Sequence, residues 1–328
     1  MKSAAAGFEA QWIDVHAHFM VPQTKEELKR SAIARCERCF LVPELYQWTA
    51  EAALEHMDRN GIAMQLLSNI PKSLTTLRES NEHGASIVAK HPSRFGLLLA
   101  LPTDDPEACL AEIGRTEKLG ADGYAVTCRY NDVYLSDIRL EPVWRELERR
   151  GATVFVHPDA YAEPAMGRPT ALLEVAFETT RTVVDMLYAG VFRRYPGIRF
   201  IVAHCGAALP ALAGRLLLLG TEGWVPNPQG ITRAEMKAQL ASLYLDTAAT
   251  GSANSLAPAL AMTTPDHLVY GSDCGVLCSS EATMQENLRS LRAFPDLTIA
   301  QINQIGRAAL KLFPSIANRV QPVCEAVD

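Results

Sequence analysis

Apolar and polar positions along the 328-residue chain alternate between two periods. Eight short apolar runs have strand character, and longer stretches with apolar residues at helical spacing lie between them. The strand-like runs are Trp12–His16, Ala63–Ser68, Phe95–Leu101, Gly123–Thr127, Thr153–His157, Arg199–His204, Leu243–Thr247 and His267–Ser272. Residues 142–151 show the helical type, with Val143 and Leu147 one turn apart and Gly151 as the stop. Thr49–Asn60, Leu74–His91 and Pro106–Leu119 read the same way. Strands alternating with helices predict an α/β fold, a single (β/α)8 TIM barrel over residues 1–328. Such barrels commonly need about 250 residues, so there is room for insertions. Two stretches break the alternation: Val21–Tyr46 after the first strand and Tyr161–Thr170 after the fifth. Excursions after strands lie on the face where barrel enzymes build their sites, and the first is read as a lid.

Composition narrows the class without choosing a chemistry. A net charge of −6 with dispersed Lys and Arg predicts neither nucleic-acid nor membrane-surface binding. The longest aliphatic run, Leu216–Leu219, is far short of the roughly 20 apolar residues a membrane span needs. Met1–Ala10 has no apolar secretion core. Eight cysteines without such a signal read as reduced thiols, and a cytoplasmic location is expected. Cys36 and Cys39 form a lone Cys-x-x-Cys pair, too little for a zinc element.

Candidate chemistry sits at the ends of the strand-like runs. His16 and His18 close the first, His157 the fifth and His204 the sixth, and Asp273 follows the eighth. Strand residues i and i+2 face one side, so His16 and His18 can reach one ion together. His157 and Asp273 add ligands from around the rim. Three imidazole nitrogens and one carboxylate suit a single divalent ion, Zn²⁺ before Mn²⁺ or Fe²⁺, with a position open for water or substrate. His204 is then the acid or base beside it. Cys205 alternates away from His204 and is expected behind the barrel wall. Tyr46 and Trp48 are candidates for an aromatic pocket.

The chain resembles the amidohydrolase superfamily, in the branch related to 2-amino-3-carboxymuconate-6-semialdehyde decarboxylase. The motifs that carry this are Ile13-Asp-Val-His-Ala-His18, Met57-Asp-Arg-Asn-Gly-Ile62, Leu67-Ser-Asn-Ile-Pro71, Val154-Phe-Val-His-Pro158, Phe177-Glu-Thr-Thr180, Ala203-His-Cys-Gly206 and Tyr270-Gly-Ser-Asp273. Arg149–Pro158 and Thr179–Thr182 are similar to the subgroup that includes 6-methylsalicylate decarboxylase. The resemblance implies a barrel in which His16, His18, His157 and Asp273 hold the metal and His204, with Asp273, serves catalysis. It implies one ion rather than two, since Gly123–Tyr130 lacks the lysine that bridges dinuclear sites. It also implies a dimer or higher homo-oligomer. Ala53 stands where the semialdehyde decarboxylase carries its carboxylate-binding arginine, so a different substrate is expected, anchored by Arg129 or Arg181.

The expected function is a metal-dependent, non-oxidative decarboxylase acting on an aromatic hydroxy acid or enol-like carboxylate. The ligand set equally admits hydrolysis of a lactone or amide by a metal-activated water. A metal-binding barrel without activity is the third reading, disfavoured by His204 standing next to a full ligand set.

Overall fold

A computed structural model describes residues 11–250 and 252–320 of the chain. Met1–Ala10, where the sequence lacks a secretion core, lies outside them. Eight parallel strands follow one another in sheet order: β1 Trp12–His18, β2 Ile62–Ser68, β3 Phe95–Ala100, β4 Gly123–Thr127, β5 Thr153–His157, β6 Arg199–Val202, β7 Tyr244–Asp246 and β8 Leu268–Val269. Three backbone hydrogen bonds close the seam between last and first: Val15 N–H to Tyr270 O at 3.0 Å, Asp273 N–H to His16 O at 2.8 Å and His18 N–H to Cys274 O at 2.7 Å. The sheet is thereby a barrel, with helices outside it, as the alternation predicts.

Two apolar layers hold it. Ile13, Val15, Met64, Leu66, Leu98, Ala125, Phe155, Ile201 and Val269 fill the barrel, and Leu312, Phe313 and Ile316 plug its lower end. A larger layer, including Trp12, Phe95, Val126, Trp144, Val156 and Phe200, lies between strands and helices. Adjacent residues such as Phe155 and Val156 divide between the layers, as the two-residue strand period requires.

Several boundaries differ from the expectation by a residue or two, and three differences matter. The helix read over Pro106–Leu119 is two, Pro106–Ile113 and Thr116–Leu119, broken at Gly114, a weak helix former. β6 stops at Val202, so His204 lies beyond the strand in a turn. β8 is short because Gly271–Asp273 leave the ladder to meet β1.

Val21–Tyr46 contains a helix, Lys25–Glu37, started by a Thr24–Glu27 capping box. It has no buried residue. Arg38 ties this segment to the excursion after β5, through the carbonyls of Tyr161 and Ala162 and the Glu163 carboxylate. No described helix is long and apolar enough to cross a membrane.

Phe313 is wholly buried inside the barrel, where its ring leaves no room for a β-carbon at Gly123 of β4. Phe313→Ala is expected to cost about 3–5 kcal/mol through lost burial and the cavity left behind. Urea unfolding checks this; a loss below about 1 kcal/mol would show that the plug is not part of the core.

Candidate metal centre

The first strand does not present its histidines by simple alternation. Between Asp14 and Ala17 it carries three steps against two on β2, where Asp14 pairs with Gln65 and Ala17 with Leu67. This bulge re-phases the strand, so that Ile13 and Val15 fill the barrel while His16 and His18 both face its mouth.

Five side chains meet there. His16 Nε2 lies 3.1 Å from His18 Nε2, and Asp273 Oδ1 is 3.2 Å from the first and 3.3 Å from the second. The His157 ring centre is 5.1 Å from that of His16 and 4.9 Å from that of His18. His16, His157, His204 and Asp273 each offer one ligand atom, and these atoms lie within 4.8 Å of one another. His18 completes the set through its contacts with His16 and Asp273.

Outward hydrogen bonds decide which ring nitrogen faces inward. His16 Nδ1 meets Asp246 Oδ2 at 2.7 Å, His18 Nδ1 meets the Ser68 carbonyl at 3.3 Å, and His157 Nδ1 meets the Pro158 carbonyl at 2.8 Å. These partners are carboxylate or carbonyl oxygens, so each Nδ1 donates and each Nε2 keeps its lone pair. That is how metal-binding imidazoles are held. His204 differs: its Nδ1 is buried without a partner and its Nε2 lies 3.9 Å from Asp273 Oδ2. Only its backbone is pinned, by an N–H bond of 2.9 Å to Asp246 Oδ1. His204, Cys205, Gly206 and Ala207 all have positive φ, a strained turn of the kind found at functional sites.

The electrostatics call for positive charge between His16 and Asp273. Burial alone would strip a proton from His16, but Asp246 and Asp273 outweigh it and lift its pKa to about 10. Burial would push the Asp273 carboxyl up, yet the charge of His16 beside it holds it well below its ordinary value. Burial and the neighbouring imidazoles drive His157 the other way, well below the ordinary histidine value, so it stays a neutral donor. One anionic oxygen and inward lone pairs crowded within hydrogen-bond distance fit a divalent cation.

Close backbone approach makes this possible. A β-carbon on Gly271 would lie 2.9 Å from His16 Cβ and 3.1 Å from Asp246 Cβ. On Gly275, with φ +95, it would lie 2.1 Å from the His18 carbonyl oxygen.

The remaining sequence candidates divide. Arg129 follows β4 at the mouth; its Nη2 is 3.8 Å from Asp159 and its Nε, 4.0 Å from Glu178, is buried without a hydrogen bond. Arg181 is exposed on the helix Glu174–Tyr188, its guanidinium 5.8 Å from the Phe177 ring, so the structure does not bring it to the cluster. That helix turns Glu178, Thr179 and Thr182 inward instead. Trp48, proposed for an aromatic pocket, is 7% exposed and packs in the outer layer against Phe19 and Phe95, a core position. Tyr46 is half-buried, and burial pushes its hydroxyl up to about 12. Cys205 is buried in the outer layer, as expected, but the turn after β6 rather than strand alternation puts it there, while Cys36 and Cys39 are free thiols.

Asp246 is the residue sequence reasoning missed. It ends β7 after two apolar positions, the same signature that singled out His157 and His204. Asp14 was also passed over. It accepts from the backbone N–H of His16 and Ser272 and from the Gln65 and Ser272 side chains, and so splints β1 to the segment that carries Asp273.

A family model described as Amidohydrolase matches residues 13–313. A 6-methylsalicylic acid decarboxylase of Penicillium expansum is 27% identical over 321 residues, covering 93% of this chain and 96% of that protein. The decarboxylase yanB of Aspergillus niger is 30% identical over 330 residues, covering 92% and 87%. The crystal structure of a dihydroxybenzoic acid decarboxylase from a Polaromonas species, with bound manganese and the inhibitor 2-nitroresorcinol, superposes with a TM-score of 0.73. It is 22% identical, covering 93% of this chain and 97% of that one.

Asp246→Asn keeps the size of the side chain but offers His16 Nδ1 an amide. The expected outcome is a loss of about 10–100-fold in Zn²⁺ affinity, measured by equilibrium dialysis against a chelator. Unchanged affinity would show that the His16 ring is not held through Asp246.

Proposed function

The chain belongs to the amidohydrolase family, and from that premise we propose that it is a metal-dependent, non-oxidative decarboxylase of an aromatic hydroxy acid. The observation that carries the site assignment is the split among its histidines. Three have Nδ1 tied outward and Nε2 free, and the fourth has its ring untied. His16, His18, His157 and Asp273 hold one divalent ion, Zn²⁺ by preference, with Mn²⁺ and Fe²⁺ admitted by the same donors. The relatives that match most of both chains are named as decarboxylases, one of them for 6-methylsalicylic acid, which supports carbon–carbon cleavage over hydrolysis.

When bound, the ion supplies the positive charge that sets a phenolic oxygen and the adjacent carboxylate of the substrate side by side. The residues do the rest. Asp273, kept ionised by His16 and steadied by Ser279 Oγ at 3.0 Å, stays an acceptor facing His204. His204 delivers a proton to the ring carbon that bears the carboxylate. The carbon–carbon bond then breaks, its electron pair restores the aromatic ring, and CO₂ leaves. Positioned acid–base groups of this kind contribute about 10²–10⁴-fold. The apolar wall below the site, with Phe155 4.8 Å from His16, favours neutral CO₂ over a buried carboxylate. Arg129, with an orphaned Nε–H, is the anchor for the substrate's carboxylate.

Zn²⁺-loaded protein given a panel of hydroxybenzoates is expected to release CO₂ and the matching phenol. No CO₂ from the panel, with hydrolysis of an aromatic lactone, overturns the reading. His204→Ala is expected to keep its metal and lose turnover, whereas His157→Ala and Asp273→Ala lose the metal. Metal analysis of the three variants decides; a metal-free His204→Ala contradicts its role.

The reading includes self-association. The helix Leu209–Leu219 that leaves the His204 turn exposes Leu212 and Leu218, and Trp224 follows it at 70% exposure. Burying Leu218 and Trp224 against a second copy would remove this exposed apolar surface from water. Sedimentation equilibrium is expected to give a multiple of 35.9 kDa for the wild type and a smaller species for Leu218→Glu. A monomeric wild type refutes this.

A further inference from the structure

A second charged cluster lies beside the His157 end of the metal centre, built from four elements. Lys72 comes from the segment after β2, Arg129 from the end of β4, Asp159 from the excursion after β5 and Glu178 from the helix Glu174–Tyr188. Asp159 is fully engaged. Its Oδ2 takes an ion pair of 3.0 Å from Lys72 Nζ and its Oδ1 accepts from the Tyr161 N–H at 2.9 Å. Lys72 also donates to the Arg129 carbonyl at 2.7 Å. Glu178 uses one oxygen, Oε2, to accept the Asp159 N–H at 2.6 Å. Its other oxygen faces Arg129 Nε at 4.0 Å, too far for a hydrogen bond.

Among the described residues the Arg129 guanidinium therefore has carboxylate partners only at the outer limit of an ion pair. Its three carboxylate neighbours, Asp159, Glu178 and the fully exposed Asp132, stand at 3.8, 4.0 and 3.9 Å. The buried balance turns on Glu178. With Glu178 ionised, two cations face two buried carboxylates and the cluster is neutral. With Glu178 protonated, two cations face one, and the excess positive charge lies on the unengaged Arg129.

We propose that Glu178 is a positioning residue whose proton controls how strongly Arg129 binds an aromatic carboxylate: ionised Glu178 competes for the guanidinium, and neutral Glu178 releases it. This rests on Arg129 as the anchor in the function proposed above. The groups facing Glu178 are Arg129 and the Cys128 thiol from β4 and its extension, Lys72, and Asp159; burial and Glu178 push that thiol up to about 12, so it stays neutral. Burial, joined by Asp159, outweighs Arg129, Lys72 and the Asp159 N–H, and lifts Glu178 to about 7. The control thus falls near neutral pH.

The sign follows from linkage. An anion on Arg129 favours neutral Glu178, so binding takes up a proton when Glu178 starts ionised, and affinity falls as pH rises through about 7. The test titrates salicylate into the Zn²⁺-loaded protein by calorimetry at about pH 7.5, in buffers of different ionisation enthalpy. Wild type is expected to take up a fraction of a proton more than Glu178→Gln. For a hydroxybenzoate that is turned over, KM is expected to rise by up to about tenfold per pH unit above about 7, while Glu178→Gln gives a flat KM and a kcat profile of unchanged shape. Equal proton uptake in wild type and Glu178→Gln overturns the proposal, whether or not CO₂ is released. Failure of CO₂ release alone strikes the decarboxylase reading. Should Glu178→Gln not fold, the infrared band of a protonated carboxyl in wild type supplies the readout. Salicylate is expected to strengthen it, but not in Arg129→Ala; a band indifferent to salicylate overturns the proposal.

Discussion

One carboxylate with no solvent exposure, Asp246, holds the mouth of this barrel together. Its Oδ2 fixes the tautomer of His16, and its Oδ1 accepts the N–H groups of His204 and Ala248. A buried charge without partners costs several kcal/mol, so Asp246 is tolerable only with these bonds made. The same bonds tie β1, the turn after β6 and β7 at one point, and Gly271 lets the last segment close over them. Without Asp246 the His16 ring could present either nitrogen, and the three-way contact with His18 and Asp273 would not be specified.

Much of this was legible in the chain. Eight apolar runs located eight strands, because a strand buried on both faces has to be apolar along its length. The polar residues ending those runs located the cluster. What stayed hidden is what depends on register. His16 and His18 share a side as alternation says, but a bulge makes their side the mouth rather than the outer layer. His204 sits beyond its strand, in a left-handed turn that no apolar pattern encodes. Asp246 shows the same signature as the histidines, yet a single aspartate after Tyr-Leu reads equally well as the end of a strand.

Arg129 and Arg181 show the limit from the other direction. Both are arginines in segments near the mouth, and the sequence treats them alike. Geometry separates them: Arg129 extends a barrel strand, whereas Arg181 lies on a helix whose inward face is set by Glu178, Thr179 and Thr182. Helical spacing carried that signal, since Val183, Met186 and Leu187 continue the same buried stripe. Counting that stripe outward from the apolar residues excludes Arg181 and singles out the glutamate instead.

The two clusters are not independent, and β5 is the link. His157 ends that strand among the inward lone pairs, and two residues later Asp159 joins the charge-balanced group around Lys72 and Glu178. The His157 carbonyl accepts the Cys128 N–H at 2.8 Å, just past β4 and one residue before Arg129. A shift of the Asp159 loop would therefore disturb His157 and Arg129 together. In the function proposed above, His157 helps to hold the ion and Arg129 the carboxylate of one substrate, so their separation matters. The ladder that ends at His157 and the Cys128 N–H bond to its carbonyl set that separation, because strand ends are positioned by the ladder and the packed core below them.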